Sequence, residues 1–236
     1  MRSLHRRESK SKRNRKWCLV LEVKDVVIRI GGKTIIEKAR FNVAPGSLIA
    51  ISGHSGSGKT TLLRSIMGIT QPDSGCISLG DLVYSDLSAQ QRRAFRLKNI
   101  GIVDQTSSLV EELTCADNVR LLCEASGMRS RDAKDMAHDC LARVGMADYA
   151  SREPETLSGG QRQRVAIACA LATKPRLIAA DEPTSSLDDS STEQVVAALR
   201  EIVENSDIPG VIVTHDYRVK EKVDQVLELR NATICG

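Results

Sequence analysis

Two short patterns in this 236-residue chain carry the atoms needed to handle a phosphoanhydride. The first is Gly53-His54-Ser55-Gly56-Ser57-Gly58-Lys59-Thr60. Its glycines let the backbone wrap closely around an anion and turn N–H groups inward. Lys59-Thr60-Thr61-Leu62-Leu63 opens a helix-compatible segment, whose start adds unpaired donors and a partial positive charge. In the pattern G-x-x-x-x-G-K-[ST] the lysine reaches the β- and γ-phosphates and the hydroxyl ligates Mg²⁺. Those roles fall to Lys59 and Thr60, with Thr61 supporting the α-phosphate. The second pattern is Asp181-Glu182-Pro183, closing the apolar run Leu177-Ile178-Ala179-Ala180. Asp181 would hold the Mg²⁺ shell through water, and Glu182, one residue on, could polarise an attacking water. An Asp-Glu pair alone is more often a solvated strand end. Here Pro183 closes the strand and a matching phosphate loop lies upstream.

The elements that must position these groups are legible as short apolar runs. Leu48-Ile49-Ala50-Ile51-Ser52 reads as a buried strand, so strand, glycine loop and helix follow in the order a phosphate loop needs. In a parallel α/β sheet the strand C-termini face the ligand crevice, which brings both patterns to one edge. A third strand, Val211-Ile212-Val213-Thr214, delivers His215. Upstream, residues 18–30, 33–38 and 76–79 read as antiparallel strands, with a hairpin turn at Gly31-Gly32. Pro72-Asp73-Ser74-Gly75 is a turn. A basic helix is expected over 88–98, then a strand over 100–104. Helices near 114–126 and 130–144 make residues 106–158 a helical insertion. The core resumes with helix 159–173, strand 176–181, helix 190–204 and strand 210–214. Val195, Val196, Leu199, Ile202 and Val203 form one apolar stripe on that last helix.

Thr156-Leu157-Ser158-Gly159-Gly160-Gln161-Arg162-Gln163-Arg164-Val165-Ala166-Ile167-Ala168 resembles the signature of ABC-type ATPases. Gln105 matches the family's Q-loop glutamine, Ser186-Leu187-Asp188 its D-loop and His215 its switch histidine. The resemblance covers roughly residues 18 to 235. It implies a P-loop NTPase (RecA-like) α/β core with an antiparallel β-subdomain and an inserted helical subdomain. It also implies an ATPase with ATP and Mg²⁺ as ligands. ATP would contact Gly53 to Thr61 and Gln105 of one chain, and Ser158, Gly159, Gly160 and Gln161 of another. Mg²⁺ would fall to Thr60, Gln105 and Asp181, and catalysis to Glu182 and His215. His215 would hold the γ-phosphate and orient Glu182 and water. One phosphate loop and one signature per chain imply a second cassette, identical or closely related.

The resemblance further implies a separate membrane permease, docked near Leu109, Val110 and Leu113, and a cytoplasmic position on the inner membrane face. Tyr84-Ser85-Asp86-Leu87-Ser88, Asn99-Ile100-Gly101-Ile102-Val103-Asp104-Gln105 and Ala180 before Asp181 look most like the lipoprotein-release, macrolide-export and cell-division group. Export or membrane extraction is the expected work. The alternative is a soluble ABC ATPase acting on nucleic acid or ribosomes. Ribosome-acting relatives usually carry two cassettes, and DNA-repair types a long coiled coil, so nucleic acid is not the expected partner. Two positions depart from the family pattern. Ile30 stands where an aromatic residue usually stacks on adenine, and Cys169 where many members have arginine.

Composition sets outer bounds. Residues 1–16 hold eight Lys/Arg against one Glu, so the formal +4 hides a mildly acidic body. That tail is poor in apolar residues, holding only Met1 and Leu4, and is expected to be disordered. Its charge suits an anionic membrane surface or simple solubility. The rest, 17–236, is expected to be one ATPase domain. The seven cysteines show no C-x-x-C or metal spacing and suit a reducing compartment. No apolar run is long enough to span a bilayer.

Overall fold

The computed structural model describes residues 19–235, so the basic tail expected at 1–16 lies outside the described residues. The chain opens with β1 (Leu21–Ile30) and β2 (Lys33–Val43), an antiparallel hairpin. Gly31 and Gly32 both take positive φ, 57° and 79°, the backbone a two-residue hairpin turn requires. Next come β3 (Leu48–Ser52), α1 (Lys59–Ile66), β4 (Ser74–Leu79), β5 (Leu82–Val83), α2 (Ala89–Asn99) and β6 (Ile100–Val103). The helical insertion holds α3 (Cys115–Ala125) and α4 (Ser130–Arg143). It leads into α5 (Gly159–Leu171), β7 (Leu177–Asp181), α6 (Asp189–Ser206) and β8 (Gly210–Val213). A short α7 (Tyr217–Lys220) and a hairpin of β9 (Gln225–Arg230) and β10 (Thr233–Cys235) complete the described chain.

Two sheets result. One is antiparallel, in the order β2-β1-β4-β5; the other runs β10-β9-β3-β8-β7-β6, parallel except for the edge strand β10. The central parallel strands β3, β8 and β7 are buried on both faces, and their side chains alternate between two cores. Ile49 and Ile51 of β3, Leu177 and Ala179 of β7, and Val211 and Val213 of β8 pack with the antiparallel sheet and α1. Leu48, Ile178, Ala180 and Ile212 pack with the helical insertion, α5 and α6. α5 approaches the sheet most closely at β6. A Cβ on Gly101 would stand 2.6 Å from the Ala170 carbonyl oxygen, so that one position is restricted to glycine.

The expected elements form within a few residues of their expected limits, with several differences. β2 runs five residues beyond 38. Asp25 and Lys38 take left-handed φ (51° and 48°) and the β1–β2 register shifts there. Each bulge inverts the alternation on which strand reading depends. Ser74 and Gly75 of the expected turn already belong to β4. The hairpin β9–β10, the two-residue β5 and the single-turn α7 had no counterpart in the sequence reading.

Candidate functional site

Parallel pairing sets the layout of the site. Ile51 lies beside Val213, and Val213 beside Asp181. The next residues along β3, β8 and β7 therefore emerge at one edge: the glycine loop, Thr214-His215 and Glu182.

The loop is sculpted by excluded side chains. A Cβ on Gly53 would meet the Leu229 carbonyl oxygen at 2.6 Å, and one on Gly58 would meet Ile35 Cγ2 at 2.7 Å. Gly53, Gly56 and Gly58 have φ of 156°, 74° and 104°, conformations open to glycine at little cost. Gly58 is the N-cap of α1 and supplies no side-chain cap, leaving the first amides of the helix for an external acceptor. Lys59, only 8% exposed, folds back and donates to the carbonyls of Gly53 (3.1 Å) and His54 (3.0 Å). The Ser57 hydroxyl is buried without a partner among the described residues. His54, Ser55, Gly56 and Thr60 face solvent. Unspent donors, a buried ammonium and an exclusion of Cβ atoms are what a polyphosphate requires.

Opposite, Thr60 Oγ1 donates to Asp181 Oδ1 at 3.1 Å. Burial, with the Glu182 carboxylate adding to it, pushes the Asp181 carboxyl above its ordinary range, so a negative charge is costly there. A divalent cation beside Asp181 and Thr60 would offset that cost. The donor set of hydroxyl and carboxylate oxygens suits Mg²⁺.

Glu182 takes a left-handed backbone, φ 47°, which costs a non-glycine residue about 1–2 kcal/mol. Its N–H donates to the Val213 carbonyl at 2.8 Å, so β8 holds the strained turn. The carboxylate, with its side chain 17% exposed, meets His215. Nδ1 lies 3.0 Å from Oε1 in hydrogen-bonding geometry. Oε2, although 2.9 Å from the same nitrogen, accepts no hydrogen bond among the described residues. That oxygen is buried beside an exposed imidazole, so a carboxylate capable of general-base chemistry is held by a histidine at the crevice edge.

Ser158 caps α5. Its hydroxyl accepts from the Gln161 amide (3.3 Å), and Gln161 Oε1 accepts from the Ser158 amide (2.9 Å), a capping box. Two of the expected donors are therefore satisfied internally. The Gly159 and Gly160 amides remain, and Ser158 and Gly159 are exposed. The D-loop packs against this segment. Asp188 caps α6 through the Ser191 amide and hydroxyl, both at 2.8 Å, and a Cβ on Gly160 would stand 2.6 Å from that same hydroxyl. Hydrogen bonds from Ser191 hold the Asp188 carboxyl below its usual range. Gln105 forms no hydrogen bond with Thr60 or Asp181 among the described residues; it lines a hollow with Gly159, Ser186 and Leu187.

The remaining positions fall as follows. Ile30 is 57% exposed at the end of β1, offering an aliphatic surface in place of an aromatic ring. Cys169 lines a hollow between α2 and the insertion with Leu97, Leu109 and Leu122, and burial pushes its thiol up to about 12. Asn118 ties the adjoining loop to α3, accepting from the Val110 amide (2.7 Å) and donating to the Val110 and Leu113 carbonyls. Sequence reading missed the contributions of Asn118 and Ser191; neither belongs to a pattern that chain spacing displays.

A family model described as ABC transporter matches residues 36–185. The lipoprotein-releasing system ATP-binding protein LolD of Legionella pneumophila (strain Paris) is 39% identical over 200 residues, covering 85% of this chain and 88% of that protein. An uncharacterized ABC transporter ATP-binding protein of Mycobacterium tuberculosis, Rv2564, is 38% identical over 218 residues. This chain is matched over 91% of its length and spans 66% of that relative. The dimeric ATP-binding cassette MJ0796, solved in a post-hydrolysis state with ADP and Pi, superposes with a TM-score of 0.79 at 31% identity. That match covers 91% of this chain and 96% of the other.

Proposed function

The chain belongs to the ABC transporter family as one of its ATP-binding, ATP-hydrolysing cassettes, and from that premise we propose that it powers a separate membrane permease. Its work is export or extraction from the membrane, of a lipoprotein, peptide or drug type of cargo. The observation that carries the reading is the pairing of Glu182 with His215 one strand away from a glycine loop with unspent donors. Likeness to LolD, named for lipoprotein release, supports the direction. Among the described residues no helix is long and apolar enough to cross a membrane.

In this mechanism Gly53 to Gly58 wrap the polyphosphate and Lys59 leaves its two carbonyls to bind the β- and γ-phosphates. Thr60 and Asp181, the latter through water, would hold Mg²⁺, with Gln105 completing the set after the loop moves. The metal supplies charge neutralisation at the phosphates. Ser158, Gly159, Gly160 and Gln161 of a second cassette close over the γ-phosphate, and Asp188 lies at the same junction. Glu182 accepts the proton of the attacking water while His215 fixes its carboxylate. Two closed cassettes separate once the anhydride is split, and the permease senses that change. The hollow of about 270 Å³ lined by Leu97, Leu109, Leu122 and Cys169, with Val110 exposed nearby, is the seat proposed for the permease. The domain assignment, one ATPase unit over 17–236 with a helical subdomain at about 106–158, accompanies this reading. So does a cytoplasmic position at the membrane.

A pull-down from detergent-solubilised membranes tests the partner class. Capture of a multi-spanning membrane protein, lost when Leu109 and Leu122 are replaced by Asp, is the expected result. Salt-sensitive capture of RNA instead would favour a soluble nucleic-acid-directed ATPase and contradict the proposal.

Ile30 adds a prediction on base selection. Without an aromatic stack, worth about 0.5–1.5 kcal/mol, adenine should be held weakly and preferred little over guanine. Ile30→Tyr is expected to tighten ATP binding by about 2–10-fold, the same energy expressed as affinity. Strict preference for ATP over GTP in the parent, or no gain in the variant, would contradict this.

A further inference from the structure

We propose that Gln163 is a positioning residue that ties the movement of the Gln105 loop to the presentation of the signature start. The inference rests on the proposed roles of Gln105 and of Ser158 to Gln161. Gln163 is 2% exposed, on α5, five residues after Ser158. Both ends of its amide are committed to the loop that follows β6. Nε2 donates to the Asp104 carbonyl at 2.9 Å, and Oε1 accepts from the Ser107 hydroxyl. The two contacts straddle Gln105 in sequence.

The loop is otherwise closed on itself. The Asp104 carboxylate accepts from the Ser108 amide (3.2 Å), the Ser108 hydroxyl (2.6 Å) and the Thr106 hydroxyl (3.3 Å). Ser107, buried, is held at φ 50°, a conformation a non-glycine residue keeps only when its surroundings enforce it. Residues 104–108 therefore form one hydrogen-bonded unit, and among the described residues Gln163 is the one α5 side chain hydrogen-bonded to it. Gln105 itself is exposed and makes no hydrogen bond to Thr60 or Asp181. For it to reach the metal site the unit must shift, and α5 must follow or the buried amide loses both partners, which is costly. Hydrogen-bonded contiguity of this kind can carry coupling between sites. A ligand seen by Gln105 would thus reset Ser158 and Gly159, which meet the other cassette's nucleotide.

Amide hydrogen exchange tests this on the full chain, with Mg²⁺ and a non-hydrolysable ATP analogue, at a concentration where sedimentation shows a monomer. In the parent, the analogue should slow exchange at 104–108 and at 158–162 together. In Gln163→Leu the response at 104–108 should persist while that at 158–162 falls by roughly thirtyfold, the worth of about two hydrogen bonds. Ser107→Ala, which removes one hydroxyl and keeps the amide, should give an intermediate fall and decides the matter if the leucine variant does not fold. Analogue affinity should stay within about twofold of the parent in both variants. Undiminished response at 158–162 in the variants, no response there in the parent, or affinity lost in step with the exchange change would each overturn the proposal. A parent that does not bind the analogue at all instead sinks the proposed function.

Discussion

Glu182→Gln is expected to lower ATP turnover by about 10²–10⁴-fold, the range for removal of a general base, while ATP binding persists. The substitution keeps the shape of the side chain. A glutamine carbonyl can still accept from His215 Nδ1, now 3.0 Å from Oε1. What it loses is the second carboxylate oxygen, and with it the negative charge that a proton acceptor needs. With hydrolysis blocked, nothing opens the closed pair of cassettes. The variant should run as an ATP-dependent dimer by size exclusion with light scattering, and the parent as a monomer after turnover. A Glu182→Gln chain that stays monomeric in ATP and hydrolyses at the parent rate would show that another group is the base.

Lys59→Ala should weaken ATP binding by roughly 100-fold, equivalent to about 2.7 kcal/mol, and turnover should fall with it. The ammonium is buried in the glycine loop, held by two carbonyls at 3.1 and 3.0 Å. It would exchange these for charge-assisted bonds to phosphate, which are stronger. Alanine removes the charge and also the groups that keep the Gly53 and His54 carbonyls turned inward. Equilibrium dialysis with labelled ATP measures the change directly. An affinity within threefold of the parent, with an unchanged melting temperature, would show that the loop amides alone hold the nucleotide.

Much of this was legible in the sequence because the site sits on short buried strands. Leu48 to Ile51 and Leu177 to Ala180 are apolar without interruption, since both faces of the parallel sheet are covered at these strands. Such runs are read from composition alone, and the residue after each run is fixed at the crevice by topology. The antiparallel sheet was harder. Asp25 and Lys38 insert bulges that reverse the in-out pattern, so β2 read as ending five residues early. In β9, Leu227 and Leu229 alternate as a half-buried strand should, but six residues of this kind are ambiguous without knowing what covers them. Both residues of β5 are exposed, and no pattern marks it.

At the site, residue types were visible and their commitments only in part. The Ser158-x-x-Gln161 spacing is that of a capping box, a signal the motif reading passed over, and nothing in the sequence shows that Glu182 must adopt a left-handed backbone. That backbone depends on what stands one strand away. The Ile30 position was visible as a departure, and its 57% exposure gives the departure its meaning.

The claim that one chain's glycine loop and another chain's signature share a nucleotide is tested most directly by mixing two disabled chains. Both carry Glu182→Gln; one adds Lys59→Ala, the other Gly159→Asp, which places a carboxylate at the exposed start of α5 where the γ-phosphate would arrive. Alone, each would form two sites with one spoiled half and should remain monomeric in ATP. Mixed, they restore one site with both halves intact, and mass photometry should then find heterodimers only when ATP is present. A mixture that stays monomeric where Glu182→Gln alone dimerises, or Gly159→Asp homodimers as abundant as those of Glu182→Gln alone, would contradict it.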